Sequence, residues 1–493
     1  MTTTALRDRP SEAARAAADA ADWLAESSPR QRGELLHAVA DALDDAAAEL
    51  IPLADTETAL GEARLTGELA RTTGQLRLFA DVLADGTCLE VTLDAADPAA
   101  TPPRPDLRRM LVPLGPVAVF AASNFPFAFS VAGGDTASAL AAGCPVVLKA
   151  HSGHPKLSER TAAIVSAALT HAGAPAGTFS CLAGRGAGRD LVQHPDIRAV
   201  GFTGSFDGGR DLFDLTAARE DPIPFYGELG SINPVVVTRR AVAERGPAIA
   251  EGLVGSYTLG VGQFCTKPGI VLIPDGAGFE DLVAAALPSA AGGRMLTERI
   301  ARGFHDGVRD LVVTGTAELL AGSASRVDMT TWRAEPILLA ADVADLVQDP
   351  DPLLRENFGP ACVLVRYRDD DELAAAIDVL PGSLTTAVHA ERADIGELAG
   401  VVSELRKRSG RLVWNDWPTG VAVTWSQHHG GPWPATTAPH TSVGATAIRR
   451  WFRPVCYQDY PDELLPPALR ANNPLGLPRR VEGRFVAKST SDD

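Results

Sequence analysis

The chain has 493 residues, 45% of them apolar, and a formal net charge of −17. That length exceeds one hydrophobic core and implies two or three domains, and the acidity argues against nucleic acid or an anionic membrane as partner, since both need a basic face. No run of 18 apolar residues occurs, so no membrane span is expected.

The N-terminal stretch "MTTTALRDRPSEAARAAADAADWL" carries acids early and lacks an apolar signal core. It reads as an amphipathic helix of the mature protein, not an export signal. Residues 11–85 continue as helix upon helix, rich in Ala, Leu, Glu and Arg. Closely spaced prolines (Pro98, Pro102, Pro103, Pro105) then break the pattern, and a connecting or projecting segment is expected. From Leu111 the texture changes to apolar runs of strand length, "GPVAVF", "CPVVLKA", "TFSCLA" and "IRAVGFT", with helical stretches at about 131–142 and 157–171. Strands buried on both faces and alternating with helices predict a parallel α/β sheet. The rhythm restarts after Pro234 with "PVVVT", "GIVLIP", "ACVLVRY" and "TTAVHA", which predicts a second α/β domain. The tail after about 440 is Pro-rich and irregular. Five of the seven tryptophans fall between Trp414 and Trp451, a region expected to line a pocket or interface rather than fill a core.

The six cysteines (Cys88, Cys144, Cys181, Cys265, Cys362, Cys456) show neither CxxC pairs nor metal-ligand spacing. Such use fits a reducing cytoplasm and argues against a disulfide framework and a zinc site. Five of them sit in apolar or ordinary contexts and read as structural. Cys265 differs, because in "GQFCTKPG" (262–269) Gly262 and Gly269 remove bulk on both sides, either for approach to a substrate or for a turn. A thiol attacks only as thiolate, so a nucleophile needs a helix N-terminus, a cation or a base nearby. "YGELGSINP" (226–234) sets Glu228 between glycines before an apolar strand, as a general base or a solvated loop carboxylate. "AASNFPF" (121–127) ends a strand with Asn124, an oxyanion donor or a turn asparagine. No histidine sits in the motifs around Cys265, which argues against a cofactor-free thiol acyltransferase. "AGRGAG" (183–188) spaces its glycines as GxGxG, with Arg189 where a dinucleotide fingerprint needs the third glycine.

In order and rough spacing, "SNFPF", "VVLKA", "GFTGS", "ELGSINP", "GQFCTKPG" and "ENFGP" resemble the aldehyde dehydrogenase superfamily, from the N-terminal helices to about residue 460. "KAHSGHP", "HHGGPWPATT" and "TSVGATAIRRWFRPVCYQDYPDELLP" look like the branch of NADP-using 2,5-dioxovalerate (α-ketoglutarate semialdehyde) dehydrogenases and related fatty-aldehyde enzymes. The resemblance implies an α/β fold of two Rossmann-like domains with a small oligomerisation arm. Residues 1–94 and 114–229 would bind the cofactor and 230–430 would carry catalysis. Residues 95–113 and 431–493 would bridge the subunits of a homodimer or homotetramer.

The resemblance also implies roles. Cys265 matches the nucleophile that adds to the aldehyde carbonyl, and Asn124 matches the side-chain donor to the oxyanion. Glu228 matches the base that activates water to hydrolyse the thioester, so the product is a carboxylic acid rather than an acyl-coenzyme A. Gly204, Ser205 and Gly209 in "FTGSFDGG" match the turn facing the pyrophosphate, and Lys149 matches the ribose lysine. Glu356 and Phe358 match residues at the nicotinamide ribose and ring. Ser152 stands where NAD-specific relatives often have glutamate. With Lys149 and Arg185 as phosphate ligands it implies NADP, with NAD tolerated, and no metal. Two departures stand out. Ser123 replaces an aromatic before the asparagine, which widens the channel mouth. His428 and His429 replace a phenylalanine region, and are expected to line the pocket or bond a substrate carboxylate rather than perform acid–base chemistry, since neighbours on an extended chain point oppositely. No arginine can be placed in the pocket from sequence. The expected reaction is oxidation of 2,5-dioxovalerate, with long-chain aldehydes as the alternative. A catalytically silent nucleotide-binding relative is disfavoured by the intact Cys265, Glu228, Asn124, Lys149 and Glu356.

Overall fold

The computed structural model describes residues 10–322 and 328–487, the Arg185 side chain excepted. Four helices open the chain: Pro10–Glu26, Pro29–Asp45, Ala47–Thr58 and Glu62–Asp85. The first buries Ala14, Ala17, Ala20 and Leu24, the spacing of a single helix face. At the start of the second, Ser28 and Gln31 close a capping box.

These helices cover a five-stranded parallel sheet. Its spatial order is Phe179–Leu182, Val146–Lys149, Val117–Phe120, Ala199–Thr203, Phe225–Glu228. Val117, Val119, Val146 and Leu148 share a core with the second to fourth helices. Ala118, Phe120 and Val147 face the other way, against Ala14 and Ala17, as the two-residue period of a strand requires. The strand order reverses between Val117–Phe120 and Ala199–Thr203. Loops leaving their carboxyl ends diverge there and open a crevice.

A second sheet runs Glu318–Ala321, Ile337–Asp342, Ala361–Tyr367, Ile270–Pro274, Val235–Val237, Ser383–His389, Ser409–Trp414, with only the first strand antiparallel. Its two faces are buried under separate apolar clusters. The parallel α/β architecture expected from the apolar runs is therefore present twice. Glu228, however, is the last residue of a strand rather than a loop residue ahead of one. No helix of the described residues is long and apolar enough to cross a membrane.

The proline-broken segment and the tail are less irregular than their composition suggests. Leu107–Pro113 pairs antiparallel with Phe452–Gln458 and with Thr92–Asp94, and Arg479–Val481 with Arg484–Val486 extends this third sheet. Trp451 also corrects the expectation for the tryptophan-rich region. Trp414, Trp425 and Trp433 are exposed, but Trp451 is fully buried and donates its indole N–H to Ser138 Oγ at 2.8 Å. It is a core residue where the tail returns onto the first sheet, edge-on to Tyr226.

Candidate active site

Cys265 lies on the loop between helix Arg239–Thr258 and strand Ile270–Pro274. The helix ends in three successive left-handed residues, Gly260, Val261 and Gly262, with φ of 57°, 58° and 66°. A β-branched residue such as Val261 is strained there. A Cβ on Gly262 would collide with the Gly359 carbonyl, and one on Gly269 would lie 2.9 Å from the Ile232 carbonyl oxygen. Both glycines thus admit another stretch of backbone, rather than clearing space for a substrate. Asn233, buried and itself left-handed at φ 51°, locks the loop from beneath. Its Nδ2 donates to the carbonyls of Cys265 (2.7 Å) and Lys267 (2.9 Å), and its Oδ1 accepts from Ser231 Oγ (2.7 Å). Asn233 sits inside "ELGSINP", but nothing local distinguishes it from a turn asparagine.

Glu228 ends the edge strand of the first sheet, and residues 435–437 lie along that edge. Leu229 N–H donates to Ala435 O (2.8 Å), Thr437 N–H to Gly227 O (3.0 Å), and Gly227 N–H to Thr437 Oγ1 (2.8 Å). This pairing turns His429 inward. Its Nε2 donates to Glu228 Oε1 at 3.0 Å and lies 3.6 Å from Cys265 Sγ, while Ser442 Oγ donates to Glu228 Oε2 at 3.0 Å. The His429 backbone N–H is fixed on Thr441 Oγ1 at 2.8 Å. His428 is only half-buried and makes no such contact, as alternation required. No histidine sits in the motifs around Cys265, but His429, expected to line the pocket or bond a substrate carboxylate, instead contacts Cys265 and Glu228. The histidine comes from a segment 164 residues away, beyond any motif around the cysteine.

The electrostatics follow from this packing. Burial would raise the Glu228 carboxyl, but the facing His429 ring and the hydrogen bonds from His429, Ser442 and Cys265 outweigh it and hold the group below its usual range. Burial raises the Cys265 thiol well above its ordinary range, and the Glu228 charge, the bond to Glu228 and the Glu356 charge push the same way against Arg71. The resting pair is therefore a carboxylate accepting from a thiol. Asn124 arrives from the loop after Val117–Phe120. Its Nδ2 donates to Gln263 O at 3.0 Å, and its backbone carbonyl accepts from Arg64 Nη2 at 2.6 Å. Cys265, Glu228 and Asn124 are thus brought together from two sheets.

The other predicted residues divide into two groups. Lys149, half-buried, ends its strand, and Ser152 is exposed on the turn that follows. Gly204 and Ser205 are exposed between strand Ala199–Thr203 and helix Phe206–Ala217, and the Ser205 hydroxyl does not cap its own helix. These four lie at the carboxyl end of the first sheet, where first-turn N–H groups suit a phosphate. Gly209 points elsewhere, packed tightly against Leu229 and Phe202. Glu356 and Phe358 are half-buried on the loop before strand Ala361–Tyr367. Burial pushes the Glu356 carboxyl up to about 7, opposed by buried Lys267, whose Nζ donates to Ala361 O at 2.8 Å. Arg185 opens helix Arg185–Gln193, and its side chain lies outside the described residues. Glu228, Cys265 and His429 each offer a ligand atom within 4.8 Å of the others. They could close on a soft divalent ion, which would consume the thiol.

Comparison with known proteins gives a consistent picture. Residues 3–433 match the family model described as "Aldehyde dehydrogenase family". An alpha-ketoglutaric semialdehyde dehydrogenase 2 from Azospirillum brasilense is 49% identical over 461 residues, covering 92% of this chain and 87% of its own. An alpha-ketoglutaric semialdehyde dehydrogenase from Acinetobacter baylyi is 40% identical over 485 residues, covering 97% and 92%. Among solved structures, a 1-pyrroline-5-carboxylate dehydrogenase from Thermus with bound NAD superposes with a TM-score of 0.75 at 20% identity, covering 91% of this chain and 85% of its own.

The resting electrostatics carry a direct test. Cys265 alkylation by iodoacetamide, followed by mass spectrometry of its peptide, is slow at neutral pH. Glu228→Gln removes the repelling charge, so the pH profile of alkylation moves about one unit or more toward acid. A profile that stays put or moves toward alkali contradicts the assigned contact.

Proposed function

The chain belongs to the aldehyde dehydrogenase family, and from that premise we propose that it oxidises 2,5-dioxovalerate to 2-oxoglutarate with NADP, releasing a free acid. The contact of half-buried Cys265 with buried Glu228 and His429, with Asn124 held on Gln263 nearby, supports this chemistry. Relatives at 49% and 40% identity support the substrate.

In this reading Cys265 Sγ bonds to the aldehyde carbon as its proton passes to the Glu228 carboxylate, with His429 stabilising the charge. The carbonyl oxygen becomes an oxyanion. Asn124 Nδ2 has two N–H groups, and the one held by Gln263 O orients the other toward that oxygen. Such a donor lowers the barrier by about 3 kcal/mol. When bound, the cofactor would supply the hydride acceptor that the thiohemiacetal on Cys265 needs to become a thioester. Glu228, having released the thiol's proton to solvent, then takes a proton from water as the water attacks the thioester carbon. Cys265 leaves as thiolate and is reprotonated. A buried base aimed at this carbon favours water over an external thiol, hence the non-acylating assignment.

Lys149, Ser152, Gly204 and Ser205 would hold the adenosine and phosphate end, and Glu356 with Phe358 the nicotinamide end. Ser152 lacks the carboxylate that would repel a 2′-phosphate, which favours NADP. We assign residues 1–94 and 114–229 to the cofactor and 230–430 to catalysis. The third sheet leaves Phe485 and Val486 exposed, and the second ends on an open strand with exposed Leu412 and Trp414. Apolar open edges invite pairing, so a homodimer or homotetramer is proposed; a monomer in sedimentation contradicts it. Scattered free cysteines support a cytoplasmic location. A second reading, oxidation of long-chain aldehydes, is favoured by the aromatic wall of Phe125, Phe129 and Phe264.

The test follows absorbance at 340 nm with NADP and either 2,5-dioxovalerate or hexanal, beside Cys265→Ala. Dioxovalerate is the better substrate, and the variant loses at least about a thousandfold in kcat. Better turnover of hexanal supports the second reading, and no reduction with either overturns both.

A further inference from the structure

The helix Glu62–Asp85 presents two arginines beside the nucleophile. Arg64 and Arg71, seven residues apart, share a helix face with Glu68 between them. Arg71 stacks its guanidinium 5.2 Å from the Phe129 ring centre and 5.7 Å from that of Phe125. Phe125 meets Phe264, the residue before Cys265, edge-on at 5.1 Å, and Phe129 lies 6.3 Å from the His429 ring. Arg71 is also close enough to Glu228, and to Cys265 when it ionises, to interact with their charges.

Two of its three guanidinium nitrogens have no acceptor. Nε and Nη2 of Arg71, and Nη1 of Arg64, are buried and bonded to nothing among the described residues. Glu68 does not answer them. Its Oε1 accepts from the backbone N–H groups of Phe127 (2.8 Å) and Ala128 (3.1 Å), and its Oε2 has no hydrogen bond, 4.0 Å from Arg64 Nη2. Stacking on a ring face leaves the edge of a guanidinium unsatisfied. Enclosed, unfilled N–H groups cost free energy that an incoming acceptor recovers. Arg411, another cation near Cys265, is committed to the carbonyls of Gly420 and Pro418.

We propose that Arg71, backed by Arg64, anchors the distal carboxylate of the substrate, so that the site selects short aldehydes carrying an acid at the far end. A planar fork matches a carboxylate with two parallel hydrogen bonds. The phenylalanines wall that contact from water, which strengthens it. The assignment rests on Cys265 being the point of attack, and it replaces the expectation that no arginine could be placed in the pocket. The same aromatic wall then serves as a sleeve for a short chain rather than as a lipid groove.

The experiment compares kcat and KM for 2,5-dioxovalerate, succinate semialdehyde and hexanal in wild type, Arg71→Met and Arg71→Lys. Arg71→Met lowers the ratio of kcat/KM for acidic over neutral aldehyde by about 30-fold or more, mainly through KM, and Arg71→Lys recovers part of it. Any general damage through Cys265 affects all three substrates and cancels in the ratio. In wild type, glutarate competes with hexanal, and this holds as a check even if the variants do not fold. A wild type active on the acids, with a ratio unchanged by Arg71→Met or with no competition by glutarate, overturns the Arg71 assignment alone. A wild type that oxidises hexanal but neither acid overturns the dioxovalerate reading and the anchor together.

Discussion

A carboxylate enclosed in protein must be met by donors, because burying it bare costs several kcal/mol. Glu228 is 3% exposed, and its three donors come from two separate stretches of chain: the His429 ring and the Ser442 hydroxyl from one, the Cys265 thiol from the other. Meeting that requirement sets much of the architecture around it. The segment from 428 to 442 is drawn against the edge of the first sheet, where residues 435–437 pair with Gly227 and Leu229. The loop that carries Cys265 is held against the same point by Asn233. Two sheets with separate cores thus meet at one side chain.

The same contact sets the chemistry. In the proposed mechanism the carboxylate that accepts from the Cys265 thiol is also the group that receives its proton. Asn124 is held by one N–H on Gln263 O, which in the proposed mechanism leaves the other for the oxyanion. The loop tolerates the strain at Val261 because Asn233 holds it from beneath and Gly262 passes close to Gly359. On the substrate side, the unfilled donors of Arg71 and Arg64 form a positive edge to an otherwise aromatic wall.

What was legible in the sequence is what is encoded locally. Unalternating runs such as "VVLK" and "IVLIP" became strands buried on both faces, because burial on both faces is what removes the alternation. Cys265, Glu228 and Asn124 each sit in a short, unusual motif and could be named one by one. His429, Asn233 and Arg71 could not, since what singles each out is a contact across the fold. His429 meets Cys265 only because the 435–437 pairing turns it inward. Arg71 lies on a helix whose composition reads as any exposed helix. The third sheet was hidden for the same reason: Leu107–Pro113 and Phe452–Gln458 are ordinary strands only in each other's company. Trp451 escaped notice because its neighbours in sequence are surface tryptophans, and its indole N–H finds Ser138 on a distant helix.

The central claim is that aldehyde carbon passes through a thioester on Cys265 that Glu228 exists to clear. Intact-protein mass spectrometry of Glu228→Gln, mixed with NADP and 2,5-dioxovalerate and quenched in acid, tests it most directly. The account predicts an adduct equal to the aldehyde less two hydrogens, mapped to the Cys265 peptide, with about one equivalent of NADPH formed and no further turnover. Continued turnover at the wild-type rate with no adduct on Cys265 would contradict it.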